Sequence, residues 1–195
     1  MADGILKVGT ITTSSGSGTI TLGQSGETVT IPTGATITNS GTANGFGGTT
    51  APYVSVYRNG DQTISDATWT KIQFNVENVD SGGAFDSSSN YRYTPQTSGY
   101  YFVALNVGIG TTADNSIDSV RGKIYKNGSE ITGAIASRNW DTAGINYNDQ
   151  VNTSVIVTMN GSSDYIEGFL YIDVTSGTPR VESQQASMNI FKMTE

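Results

Sequence analysis

A chain of 195 residues with neither cysteine nor histidine excludes disulfides, thiolate metal centres and histidine-dependent catalytic triads. Its 17 acidic and 10 basic residues give a net charge of −7 with no basic run, which argues against nucleic acid as a partner. No stretch of about 18 apolar residues exists to insert into or span a membrane.

The start, Met1-Ala2-Asp3-Gly4, lacks the basic opening and apolar core of a secretory signal. The expectation is a protein that begins at its initiator methionine, is made in the cytoplasm and is not exported by the general pathway. Ile5, Leu6 and Val8 then form a small apolar cluster suited to docking against a larger assembly, with a frayed terminus as the competing reading.

Residues 1–50 differ in composition from the rest of the chain: their only charges are Asp3, Lys7 and Glu27, and their only aromatic is Phe46. A short unit recurs in them as Gly9-Thr10-Ile11-Thr12, Gly18-Thr19-Ile20-Thr21 and Glu27-Thr28-Val29-Thr30, spaced by nine residues, with Ala35-Thr36-Ile37-Thr38 eight further on. Each unit sets one β-branched apolar residue between threonines, and Gly- and Ser-rich turns separate the units. Such a unit is one strand and one turn, which buries too little to fold alone and must stack on copies of itself. The competing reading is a polar linker.

Asn44 to Pro52, glycine-rich and closed by proline, marks a boundary, so a first domain over 1–50 and a second over 51–195 are expected. Candidate strands in the second are Tyr53–Tyr57, Trp69–Val76, Asn90–Tyr93, Gly99–Gly110, Ser119–Tyr125, Ser129–Ala136, Gln150–Met159, Asp164–Val174 and Val181–Met193. In the fourth, Tyr101, Val103, Leu105, Val107 and Ile109 alternate with Tyr100, Phe102, Ala104, Asn106 and Gly108. Its first face is apolar, and its second carries two aromatics that also want cover. Asp164–Asp173 alternates aliphatic Ile166, Leu170 and Ile172 with aromatic Tyr165, Phe169 and Tyr171. Asn127-Gly128 supplies the positive φ of a tight hairpin, and Asn160-Gly161 is expected to do the same. Short antiparallel strands with such turns make an all-β sandwich or jelly roll.

The order Trp69-Thr-Lys-Ile-Gln-Phe-Asn-Val76, Asn90-Tyr-Arg-Tyr-Thr-Pro95, Thr97-Ser-Gly-Tyr-Tyr-Phe-Val103, Ile124-Tyr-Lys-Asn-Gly128, Thr153-Ser-Val-Ile-Val-Thr-Met159 and Ala186-Ser-Met-Asn-Ile-Phe-Lys-Met193 carries a resemblance. Residues 52–195 resemble the globular head of the complement subcomponent, which shares its jelly roll with tumour necrosis factor. The resemblance implies a ten-strand antiparallel jelly roll assembled as a tight homotrimer. Val103 stands where the family pattern has Phe, and Ser163-Asp164 where it has Gly-Asp, so no family ligand site is carried over. Residues 5–48 resemble the repeats of bacteriophage tail-fibre or head-fibre proteins. Together these imply a virion component: an N-terminal anchor and extended β-repeat shaft docked on other virion proteins, and an outward trimeric knob. The alternative is a receptor-binding tail fibre with a specific host-glycan site.

Tyr100 and Phe102 are the candidate trimer-contact residues, with an intramolecular partner as the other reading. Arg138, Asn139, Trp140 and Asp141 are the candidate surface-recognition group, because an aromatic beside polar side chains suits sugar stacking; Trp140 as a core or interface anchor stays open. Trp69 reads as structural. The oxygen-rich Asp141–Asp149 loop lacks the closing Glu of a calcium loop and reads as solvated surface. Asp80 and Asp86 could form a carboxylate pair, but turn formation accounts for both. Neither a catalytic residue nor a cofactor nor a metal is expected.

Overall fold

The computed structural model describes residues 9–12, 19–38, 40, 51–113, 116–139 and 148–194, and every regular element among them is a β-strand. The chain divides into two units, Met1–Gly47 and Gly48–Glu195.

In the first unit the described residues form no ladder. Ile11, Ile20, Leu22, Val29, Ile31 and Ile37 are all exposed. The segment is punctuated by two β-turns, closed by the Glu27 and Ala35 amides donating to the Gln24 and Pro32 carbonyls. Gly26 and Gly34 hold the third position of these turns at φ +87°, a conformation that a side chain disfavours. Ile5, Leu6 and Val8 lie outside the described residues.

The second unit contains β1 (Tyr53–Tyr57), β2 (Gln62–Thr63), β3 (Thr70–Lys71), β4 (Val76–Asp80), β5 (Phe85–Asp86), β6 (Arg92–Tyr93), β7 (Ser98–Thr111), β8 (Ile117–Lys126), β9 (Ser129–Asn139), β10 (Asn148–Asn160), β11 (Ile166–Val174) and β12 (Pro179–Thr194). They form two antiparallel sheets. Sheet A has the order β10-β7-β12-β1-β4, with β2 on β12; sheet B has the order β5-β6-β11-β8-β9, with β3 on β11. Alternation decides which side chains meet between the sheets. Tyr101, Val103, Leu105, Val107 and Ile109 of β7 are at most 1% exposed, and Ile124, Ile166, Leu170 and Ile172 close over them from sheet B. Gly168 allows this close approach: a Cβ would lie 3.0 Å from Leu105 Cδ1 and 3.1 Å from Phe74 Cε2, tighter than ordinary contact.

Two local expectations are corrected. Residues 69–76 are not one strand: β3 pairs with β11 in sheet B, and β4 pairs with β1 in sheet A, so the chain crosses between sheets. Ile72 and Phe74 drop into the core on the way. Side chains take over the ladder's role, the Gln62 amide bridging the Lys71 carbonyl and the Gln73 N–H while Arg58 donates to the Gln73 carbonyl. Asn160-Gly161 is likewise no hairpin, because β10 and β11 belong to different sheets. Asn160 Oδ1 instead accepts the amides of Ser162, Ser163 and Asp164, and Gly161 passes so close to Thr97–Ser98 that no Cβ fits. Two-residue strands β2 and β5 carry too few residues for a period to register, and neither was expected. Asn127-Gly128 does form the tight β8–β9 hairpin, at φ +53° and +74°.

Candidate functional site

With the core face of sheet A turned inward, the opposite set of side chains faces out. Register aligns four of them in a row across four strands: Ile156 of β10 opposite Phe102 of β7, Phe102 opposite Phe191 of β12, and Phe191 opposite Tyr53 of β1. Ring centroids of Phe102 and Phe191 are 5.2 Å apart at 34°. Tyr100 stands one pleat away on β7. Met193 lies at the β12 bulge, where the pairing slips between Lys192 and Thr194. Tyr53 is 42% exposed, Tyr100 47%, Ile156 56%, Phe191 47% and Met193 50%. A soluble surface seldom leaves so many large apolar groups together without a partner.

The same face changes character along the strands. From Phe102 a shallow groove of about 450 Å³ runs past Ala104 and Asn106 between β7 and β10. Asn152 of β10 lines its far end, Gln150 of β10 lies beyond, and Gln185 folds over Gly108. The first part is apolar and the second is amide-rich.

Tyr100 and Phe102 are thus placed together on the outer face, Tyr100 about half exposed and Phe102 in a tilted ring contact with Phe191. Arg138 and Asn139 end β9. Arg138 is exposed and donates to both carboxylate oxygens of Asp149 at 2.9 and 3.2 Å. With Gln150, Asn152 and Gln185 they border a polar cleft of about 340 Å³. Trp140 and Asp141 lie outside the described residues, as does most of the Asp141–Asp149 loop. Among the described residues no group of three metal-capable side chains occurs. Asp80 and Asp86 both serve turns: Asp80 accepts the amides of Gly82 and Phe85, and Asp86 those of Ser88, Ser89 and Asn90. Those donors, Ser89 foremost, hold the Asp86 carboxyl far below the usual carboxylate range. An acid with its oxygens so engaged is poorly placed for proton transfer.

Sequence reading did not single out Tyr53, Ile156, Phe191 or Met193. Their signal was alternation, since Ile156 sits between Val155 and Val157, and Phe191 follows core Ile190. Local pattern gives the side on which each lies, but the pairing that joins them spans more than 130 residues of chain.

No family model matches the sequence, and no curated protein is significantly similar to it. Solved structures do match. The Eiger TNF of S. frugiperda superposes with a TM-score of 0.51 at 10% identity, covering 74% of this chain and 94% of that one. Murine APRIL gives 0.51 at 8% identity, covering 74% and 100%. The globular domain of zebrafish complement 1qA gives 0.48 at 12%, covering 75% and 99%. The fold is therefore an antiparallel jelly roll of the tumour necrosis factor type. At these identities the likeness concerns the fold alone.

Proposed function

We propose that this chain is a non-enzymatic structural protein of a bacteriophage virion: a homotrimeric short fibre or capsid decoration, made in the host cytoplasm, with an adhesive knob facing outward. The observation that carries the reading is the row Tyr53–Phe191–Phe102–Ile156 on sheet A. A rigid, uncharged, apolar strip on a jelly roll suits contact with its own copies, and a closed ring of three leaves no strip exposed. Residues 1–50 serve as anchor and shaft in this reading. Their exposed Ile and Val side chains, repeated at eight or nine residues between hydrogen-bonded turns, suit stacking between neighbouring chains. Ile5, Leu6 and Val8 would meet other virion proteins. Adhesion would then come from avidity, many knobs each binding weakly.

Light scattering of the full chain at micromolar concentration tests the assembly: a trimer mass is expected, and a monomer defeats the reading. Immuno-electron microscopy of particles tests the location, where absence of label from the virion would defeat it.

A further inference from the structure

Sheet B also has an outer face, and it is built differently. Along β11, Glu167, Phe169, Tyr171 and Asp173 point outward, with Tyr165 just ahead of the strand; on β8, Arg121, Lys123 and Tyr125 do so. Register sets Tyr171 opposite Arg121, Phe169 between Lys123 and Lys71 of β3, and Glu167 opposite Tyr125. Trp69 flanks the strip from the segment before β3. The rings form two contacts, Trp69–Tyr171 at 5.5 Å and Tyr125–Phe169 stacked at 4.1 Å.

Cations lie over the rings: Lys123 Nζ 4.6 Å from the Trp69 centroid, Arg121 5.2 Å from Tyr171 and Arg92 4.3 Å from Tyr165. The lysines are also paired with carboxylates, Lys71 with Glu167 at 2.5 Å, Lys123 with Glu130, and Lys126 with Asp164 at 2.8 Å. The two arginines are not. Among the described residues neither the Arg92 nor the Arg121 guanidinium has a hydrogen bond or an ion pair. Asp86, beside Arg92 in register, is turned into its own loop, and Asp173 ends the row beyond Tyr171.

A chain with 17 acidic residues against 10 basic ones has carboxylates to spare, yet leaves these two guanidinium groups without one. Each is steadied on a tyrosine ring, so less side-chain freedom remains to be lost when it meets an anion. The planar guanidinium fork matches a carboxylate with two parallel N–H···O bonds. Between the arginines run aromatic rings that stay partly exposed beside the cations, and the C–H face of a pyranose packs on the ring surface left open while its hydroxyls reach Lys and Asp groups at the rims. From Tyr165 to Tyr171 the strip is about 20 Å long at ~3.4 Å per residue, a length that accommodates a chain of sugars rather than a single one.

We propose that the outer face of sheet B binds an acidic glycan, a sugar chain whose carboxylates are held by Arg92 and Arg121 and whose rings pack on Trp69, Tyr171, Phe169 and Tyr165. This deepens the adhesive reading by naming a ligand class and a face, and it leaves the apolar face of sheet A for assembly.

The test titrates the full chain calorimetrically with polygalacturonate, alginate, hyaluronate and polysialic acid. Neutral dextran supplies sugar without charge, and polyglutamate supplies carboxylates without sugar. At least one acidic polysaccharide is expected to bind ten-fold or more tighter than both controls. The Arg92→Gln, Arg121→Gln double variant should lose ten-fold or more of that affinity while keeping wild-type mass and melting temperature. Trp69→Leu should weaken it as well. Failure of all four polysaccharides, equal binding of polyglutamate, or an unaffected double variant overturns the proposal. Light scattering on the same samples reports the assembly separately, so a failed trimer and a failed ligand site give different results.

Discussion

The two outer faces of the sandwich rest on one core and solve opposite problems. Across the middle of sheet A, Tyr53, Phe191, Phe102 and Ile156 carry no charge, and three of the four are more than two-fifths exposed. On sheet B the aromatics are as numerous, but none is exposed to that degree, because Arg92, Arg121 and Lys123 lie over Tyr165, Tyr171 and Trp69, and Tyr125 stacks on Phe169. An aromatic covered by a cation is compatible with water, whereas a bare one is not. In the proposed reading the difference separates a surface suited to a protein partner from one suited to a ligand met in solvent.

Charging the bare face should give the largest effect. Phe102→Asp with Ile156→Asp places two carboxylates in the middle of the row and is expected to replace the trimer by a folded monomer. Tyr100→Asp, at the edge of the row, should do so less completely. Circular dichroism would confirm the β fold and light scattering the mass. A trimer that survives the double change would move the contact off this face.

A cut in the shared core should harm both faces together. Leu105 is 1% exposed and packs from β7 against Gly168 of β11. Leu105→Ala is expected to lose about 2–5 kcal/mol, read as a lower denaturant midpoint at unchanged slope. Loss of only one face's function from this variant would mean that the sheets do not depend on one another.

Much of this division was legible in the chain. The alternation of β7 and β11 gave the core side and showed that their second sides were aromatic, because period two needs only neighbouring residues. The Asn127-Gly128 turn was legible for the same reason. The crossing at residues 72–75 was not: Ile72 and Phe74 alternate like any strand, and what stops the ladder is Gln62 and Arg58, remote in sequence. Nor could Trp69 be separated from a structural role, since its neighbours Tyr171 and Lys123 arrive from β11 and β8. The row on sheet A and the ladder on sheet B are both products of register, which sequence alternation leaves open.

The lysine pairs allow a finer distinction. Glu167 is 4% exposed, and its described ion-pair partner is Lys71, whose side chain is about one-third exposed. Lys71→Met would keep most of the packing on Phe169 but leave the carboxylate without its cation. The expected loss is about 1–3 kcal/mol at neutral pH, smaller than for a fully buried pair because water reaches the site. Trimer mass should not change. A stability equal to wild type would show that solvent replaces the lysine, making the pair a surface feature.

Acid should act on the sheet B side and spare the contact row of sheet A, although the effect on stability is the smallest of these. The Lys126 ammonium and then the Asn127 amide lower the Asp164 carboxyl below its usual range, and the turn amides of Ser89 and Ser88 do so more strongly for Asp86. A carboxyl depressed by folding contributes stability that is fully present above its unfolded pKa of about 3.9. That contribution is lost only as the pH falls through the lower folded value. Between neutral pH and about pH 4 both groups should therefore stay ionised and the hairpin ends stay pinned. Below that, Asp164 should protonate first and release Lys126 and Asn127 beside β8, while Asp86 holds longer. The row Tyr53–Phe191–Phe102–Ile156 itself contains no carboxyl group. Carboxyl carbon shifts followed by NMR from pH 7 to pH 2, beside light scattering of the same sample, would check the order. Asp164 titrating at or above the value of an unfolded aspartate, or a trimer that dissociates in step with it, would tie the two faces together and remove the distinction between them.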